Sequence, residues 1–268
     1  MVNKKEFLLN SIIKAYIEHL EPIGSGQLKS MYGISYSPAT IRGYFKKLGE
    51  EGYLAQEHAS SGRTPTTEAL KEYWLNRIDK ACDIIDYDRL NFTATQVGLA
   101  VFLKKQKVQV LKNIKNIENS YMVLDFDTFC ITIKYNTALY KFLTDMVSLE
   151  VTSILEVSKQ VGATELYVEL NRYLHNRDFE AINIKEFLSL AINFDFLEED
   201  INLFLSGKIM DNLPDGLYFN DKYGLGSILP HQYMAKVDSV TIDGARYKML
   251  VLGQLSKDYE YFYKEIEL

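Results

Sequence analysis

Cysteine is scarce in this sequence, and its scarcity closes several options at once. Cys82 and Cys130 are the only two; they lie far apart, with no Cys-x-x-Cys spacing. Neither a disulfide framework nor a thiolate zinc site is indicated, and a reducing cytoplasm is the expected compartment. Histidine is also sparse: His19, His58, His175 and His231 share no metal-ligand spacing with each other or with the cysteines, so no metal is expected. Long apolar runs are missing too. The amino terminus carries Lys4, Lys5 and Glu6 and then an amphipathic pattern broken by Asn10, Lys14 and Glu18, unlike a signal peptide. No window approaches the ~18 uninterrupted apolar residues of a membrane span. Gly-x-Gly-x-x-Gly, P-loop and Gly-x-Ser-x-Gly motifs are absent, and Gly224-Leu225-Gly226 lacks the strand-then-helix context of a phosphate site. Asp195, Glu198, Glu199 and Asp200 read as a solvated helix start rather than a cation loop. No nucleophile, base and orienting group come together, which points away from an enzyme, and no cofactor is expected.

What remains is an ordinary folded composition, 268 residues with 47% hydrophobic and 25% charged side chains, enough for one or two domains. Positive charge is in short supply. Thirty Lys and Arg face 36 Asp and Glu for a net charge of −6, which taken alone argues against a polyanionic partner. The deficit is unevenly spread, however: residues 1–80 hold 11 basic and 9 acidic side chains, whereas residues 81–268 hold 19 and 27. The boundary falls near residues 80–88, where Asp79, Asp83, Asp86 and Asp88 cluster without Gly or Pro. A polar, helical connector is expected there.

In the first half, Leu9, Ile13, Ile17 and Leu20 recur at helical spacing until Glu21-Pro22. Ser25 is placed to cap a second short helix, with Gly33 as its left-handed exit. Ser37 then caps a third, with Pro38 in the first helical position and Ile41, Phe45 and Leu48 as its apolar stripe, ending at Gly52. Tyr53–Gln56 and Arg63–Pro65 read as a small ribbon around Ala59-Ser60-Ser61-Gly62. Thr66 caps a fourth helix carrying Leu70, Trp74 and Ile78. Three helices and a two-stranded ribbon make the outline of a winged helix-turn-helix.

The second half mixes helix and strand. A helix is expected over 92–111, a hairpin over 121–126 and 129–135, helices over 149–161 and 164–174 meeting at Gly162, and a poorly delimited helical stretch over 184–205. Asp243-Gly244 is a strong two-residue hairpin signal between 233–242 and 245–253, and a helix over 257–266 closes the chain.

The polar positions of the third helix have the composition of a DNA reader. Ser37, Thr40, Arg42 and Lys46 are left outside once Ile41, Phe45 and Leu48 turn inward, and Arg suits a guanine edge or a phosphate. Gly43 is unusual in mid-helix, where it costs about 1 kcal/mol against Ala, and would let another backbone come close. The tip His58-Ala59-Ser60-Ser61-Gly62-Arg63 can follow a DNA backbone or put Arg63 in a minor groove. A plain solvated helix face and an ordinary surface hairpin account for the same residues.

The run Ser37-Pro38-Ala39-Thr40-Ile41-Arg42, then Glu51-Gly52-Tyr53-Leu54, then His58-Ala59-Ser60-Ser61-Gly62-Arg63-Thr64-Pro65-Thr66, resembles the amino-terminal domain of the HrcA heat-inducible transcription repressors. Glu21-Pro22-Ile23-Gly24-Ser25 is similar to that family's entry to its second helix, and Gly253-Gln254-Leu255 with Asp258-Tyr259 to its closing strand and last helix. Gly43 stands where the family usually has Asn, and Glu57 where Pro usually precedes the His. The resemblance implies an α+β chain: an N-terminal winged helix-turn-helix over residues 1–78, then a GAF-like regulatory and dimerisation domain over 88–268 with a reduced inserted segment. It implies a cytoplasmic homodimer on double-stranded DNA carrying an inverted-repeat operator, called CIRCE, ahead of chaperone genes, with the chaperonin as modulator and heat relieving repression. Ser25, Ser37, Thr40, Arg42, Lys46 and Lys47 would then serve the reading helix and its surroundings, and His58, Ser60, Ser61 and Arg63 the wing. Two other readings keep the same fold: a C-terminal domain that senses a small molecule, and a winged helix that docks protein instead of DNA.

Overall fold

Helix α1 (Lys4–His19) carries two apolar faces rather than one, and this shapes everything after it. In the computed structural model, which describes residues 4–56, 58, 61–78, 82–106, 109–126, 129–175, 179–211, 213–221 and 224–268, Leu8, Ile12 and Ala15 point into a core of their own. Ile23, Leu28, Ile34, Ile41, Phe45, Leu48 and Leu54 complete it. Ile13, on the other side of α1, belongs to a second core described below.

Helix α2 (Ser25–Tyr32) begins one residue off the expected cap. Gly24 is the N-cap, already extended at φ −82° and ψ 153°, and its N–H donates to Gln27 Oε1 at 3.3 Å. Because Gln27 reaches back to satisfy that donor, Ser25 is the first helical residue and not the cap. Gly33, at φ 58°, ends α2 as expected. Ser37 does cap α3 (Pro38–Glu50), its Oγ accepting from the Thr40 N–H at 3.1 Å. Gly52, at φ 84°, turns the chain into strand β1 (Leu54–Ala55), which pairs antiparallel with β2 (Thr64–Pro65). Thr66 Oγ1 then accepts from the Ala69 N–H at 3.3 Å to cap α4 (Thr67–Leu75). The first half therefore runs helix, helix, helix, ribbon, helix.

The second half is built on five antiparallel strands in the spatial order β7 (Phe179–Ile182), β3 (Ala100–Lys105), β10 (Ala245–Gln254), β9 (Tyr233–Ile242), β8 (Gly216–Phe219). Alternation along them separates two cores. Val101, Leu103, Met234, Val240, Met249 and Val251 face α4, α5 (Tyr87–Val97) and α11 (Tyr259–Ile266). Phe102, Ala235, Val237, Leu250 and Leu252 face α9 (Ile184–Asn193) and α10 (Glu198–Leu205). The β9–β10 turn is the expected one, with Asp243 and Gly244 both at positive φ (48° and 75°).

The helix expected over 92–111 is corrected: α5 stops at Gly98, φ 77°, and β3 follows. Ala100, Val101, Phe102 and Leu103 are all buried because β3 is a central strand covered on both faces. Such a run has no alternation to betray it. The stretch over 184–205 is two helices, broken where Asp195 takes φ 49°.

Between β3 and its sheet neighbour β7 the chain inserts β4 (Leu111–Ile117), β5 (Tyr121–Phe126), β6 (Cys130–Lys134), α6 (Thr137–Thr144), α7 (Val151–Gln160) and α8 (Thr164–His175). Strands β4, β5 and β6 form their own antiparallel sheet, and Leu111, Met122, Leu124, Ile133, Leu143, Ile154, Leu166 and Leu170 a separate core.

The connector also differs from expectation. Residues 79–81 lie outside the described residues, and from Cys82 to Asp86 the chain is not helical. Ile84 bridges in parallel to Thr241, Ile85 bridges antiparallel to Glu267, and the Leu268 N–H donates to the Ile84 carbonyl at 3.0 Å. Strand β8 covers β9 only from Met234 to Val237, so Thr241 at the far end of β9 has an open edge. The β-branched pair Ile84-Ile85 fills it against the pull of the neighbouring aspartates.

Candidate nucleic-acid interface

Once Ile41, Phe45 and Leu48 are buried, α3 leaves Thr40, Arg42, Gly43, Lys46 and Lys47 exposed. Ser37 Oγ and Thr40 Oγ1 lie 2.9 Å apart at its first turn, where free backbone N–H groups favour an anion. Arg42 Nη1 reaches 3.5 Å from Ser25 Oγ, so the start of α2 and the middle of α3 share one exposed polar patch. Lys46 is 78% exposed and pairs loosely with Glu50 at 3.8 Å; Lys47 leans over the Tyr44 ring, 5.9 Å from its centroid. Lys5 pairs with Glu51 at 2.7 Å, and that hydrogen bond raises the lysine pKa. The two carboxylates at the end of α3 are thus both matched by a cation.

Gly43 fulfils only half of its expected role. A Cβ built there meets nothing within 4 Å, so among the described residues no other part of the chain packs against that position. The glycine that does carry a close approach is Gly62: its Cβ would stand 2.5 Å from the Pro22 carbonyl oxygen and 2.7 Å from the Ile23 carbonyl carbon. Around it Arg63 and Ile23 exchange two backbone hydrogen bonds, each 2.9 Å. The ribbon is therefore sewn to the segment joining α1 and α2. Sequence reading placed Gly62 in a turn only; the extended Pro22-Ile23-Gly24 opposite it was the available signal.

The wing residues divide. His58 is exposed. Ser61 is spent on the turn, its Oγ donating to the His58 carbonyl at 2.8 Å and accepting from the His58 N–H at 3.1 Å. Arg63 is half-buried at the ribbon's base. Ser60, like Ala59 and Glu57, lies outside the described residues.

Comparison with known proteins decides the family. Residues 72–268 match the model of the HrcA C-terminal domain. Over 269 aligned positions, covering 99% of this chain and 95% of the relative, it is 30% identical to the heat-inducible transcription repressor HrcA of Helicobacter pylori strain J99. The chain belongs to the HrcA family.

The HrcA repressor of Bifidobacterium animalis subsp. lactis is 36% identical over 93 residues, 35% of this chain and 25% of its own length. A crystal structure described as a hypothetical protein shares the fold, with a TM-score of 0.53 at 16% identity over 98% of this chain and 97% of that one. HrcA proteins are transcription repressors and not enzymes, in keeping with the lack of a catalytic constellation in the sequence. The HrcA C-terminal match begins inside α4, the helix whose Ala69, Leu70, Tyr73 and Trp74 sit in the core of the second half. Among the described residues no helix is long and apolar enough to cross a membrane.

Proposed function

We propose that the protein represses heat-shock genes by binding double-stranded DNA as a homodimer, with residues 1–78 as a winged helix-turn-helix and residues 88–268 as a GAF-like regulatory and dimerisation domain. The observation that carries this reading is the open cationic face of α3, bearing Arg42, Lys46 and Lys47 around the uncovered Gly43. That face has the size and chemistry of a major-groove reader. Arg42 and Lys46 contact base edges and phosphate, Lys47 and Ser25 the flanking backbone, and Ser37 and Thr40 a phosphate or a thymine methyl. His58, Ser60, Ser61 and Arg63 form the wing contact. Ser61 acts through the turn it closes. The partner is an inverted repeat of the CIRCE type, because a two-fold dimer presents two copies of α3. Heat releases it, and the chaperonin modulates it.

A gel shift on the protein's own chaperone-operon promoter, with and without chaperonin and across temperature, tests the reading. Arg42→Ala is expected to weaken specific binding by about 1–3 kcal/mol; a variant that binds as tightly as wild type removes Arg42 from the interface. Failure to bind any inverted repeat at low salt favours the protein-docking alternative. The ligand-sensor alternative needs an enclosed pocket. The sheet face against α9 and α10 is instead filled by aromatic rings, Phe187 and Phe204 at 4.6 Å and Phe102 and Phe187 at 5.4 Å between centroids.

A further inference from the structure

Helix α4 ties the reading helix to the regulatory sheet without slack. Thr66 caps α4 and at the same time donates its hydroxyl to the Gly52 carbonyl at the exit of α3, at 2.8 Å. Eight residues later the Trp74 indole N–H donates to the Leu255 carbonyl at 2.7 Å, between β10 and α11, in a fully buried setting. The Leu255 N–H is itself held by the Gln232 carbonyl at 2.8 Å. Trp74 lies edge-on between Tyr73 and Tyr259, with centroids at 5.0 and 5.3 Å. At the rim, Arg77 stacks 4.6 Å over the Tyr73 ring and pairs with Glu260 at 3.1 Å. Ile13 of α1 belongs to the same core. A DNA-binding unit on a flexible tether would meet two half-sites at many separations. One held by a buried aromatic, a buried hydrogen bond and a second helix would not.

We propose that this joint, with Trp74 as its positioning residue, sets the distance between the two α3 helices of the dimer and so makes the repressor selective for half-site separation. The inference rests on the dimeric DNA-binding reading above. It assigns Trp74 no contact with DNA. Loosening the joint should leave each half-site contact intact and lose only the ruler.

The test uses the full-length protein on a series of duplexes in which the promoter's two half-sites are moved apart by up to about five base pairs, half a helical turn, together with a single half-site. Wild type is expected to prefer one spacing by about tenfold or more, each tenfold being about 1.4 kcal/mol. Trp74→Phe, which keeps an aromatic ring and removes the N–H, should compress that ratio to about threefold or less, with single half-site affinity changed less than about twofold. Arg77→Glu, which removes the cation over the Tyr73 ring and places two carboxylates together at the rim, should act in the same direction, and Arg77→Glu with Glu260→Arg should restore selectivity. Because Trp74 is the only tryptophan, the fluorescence of the Arg77→Glu variant should also shift to the red as the joint loosens. Variants that fold and keep the full spacing preference overturn the proposal while leaving DNA binding intact. Wild type that binds neither half-site nor operator overturns the DNA-binding reading and this proposal with it.

Discussion

Lys236 and Asp238 stand two apart on β9, so both face the core shared by α4, α5 and α11, and they are 1% and 2% exposed. They form an ion pair, and the Lys236 ammonium sits 4.4 Å over the Tyr263 ring centroid. Burial pushes the Asp238 pKa up, against the pull of the Lys236 charge beside it. Consider Lys236→Met, which keeps most of the side chain's length and removes the cation. Asp238 must then either stay ionised, at about 3–5 kcal/mol for a buried charge stripped of its partner, or take up a proton. Holding a carboxyl neutral at pH 7 against an unfolded pKa of 3.8 costs about 4.4 kcal/mol, at about 1.4 kcal/mol per pH unit. The two routes meet near 4 kcal/mol, which for a chain of this size lowers the Tm by roughly 8–16 °C.

The protonation route carries a sign that can be checked. An acid whose folded pKa is raised binds its proton where the unfolded chain has lost it, so stability is intact below pH 3.8 and falls as pH rises. The penalty of Lys236→Met should therefore shrink to at most about 1.6 kcal/mol at pH 5, since the raised pKa of Asp238 already takes part of it from the wild type. Urea denaturation of wild type and variant at pH 5 and pH 7 measures it. Lys236→Met with Asp238→Leu should recover much of the loss at pH 7, since a buried pair replaced as a whole is nearly neutral. A single-variant penalty under about 1 kcal/mol at pH 7 refutes the reasoning, and one that does not change between the two pH values means that Asp238 stays ionised in the variant.

Three further outcomes follow from the geometry. Gly43→Ala should stabilise α3 by about 0.5–1 kcal/mol because nothing lies within 4 Å of the new methyl, yet weaken operator binding; unchanged affinity in a DNA titration means that the open space at Gly43 is not used by DNA. Gly62→Ala drives a methyl into the Pro22 carbonyl and should cost about 1–3 kcal/mol in a thermal melt along with about tenfold in operator affinity; a neutral variant contradicts the sewn ribbon. Cys82 is buried in the docked connector, its thiol pushed up to about 12 by burial, whereas Cys130 is exposed. A thiol reagent at pH 8 should therefore label Cys130 in the native protein and reach Cys82 only in denaturant, and simultaneous labelling would mean that residues 82–86 are not docked.

Capping and turn chemistry were the most legible part of the sequence. Ser37, Pro38, Thr66, Gly33 and Asp243-Gly244 all mark element ends by local physics, a side-chain oxygen for a free N–H or a residue that tolerates positive φ, and local physics can be read from a string. Ser25 was misjudged because the backbone of Gly24 and the reach of Gln27 did the capping instead. β3 was lost inside a supposed helix because burial on both faces erases periodicity. β4, with the sequence Leu-Lys-Asn-Ile-Lys-Asn-Ile, was lost for the opposite reason: only Leu111 is fully buried. The candidate interface was readable where side chains project from a regular helix, at Thr40, Arg42 and Lys46. It was not readable at Gly62, whose importance depends on the backbone of Pro22 and Ile23, about forty residues away in the chain.

The net charge of −6 takes on a different meaning once the joint is known. Residues 81–268 carry 27 acidic against 19 basic side chains, and the buried contacts of Trp74 hold that acidic body at a set angle to α3 instead of letting it swing. On the proposed reading, a polyanion approaching in any other pose meets repulsion from the larger half, whereas the productive pose presents Lys46 and Lys47, with Glu50 and Glu51 already matched by Lys46 and Lys5. Bulk electrostatics then contributes little general attraction, and affinity depends on a few placed cations whose counterion release still makes binding steeply salt-dependent. Selectivity follows from the same arrangement, because a repressor with weak non-specific attraction is not held on the rest of the genome and finds its operator by fit.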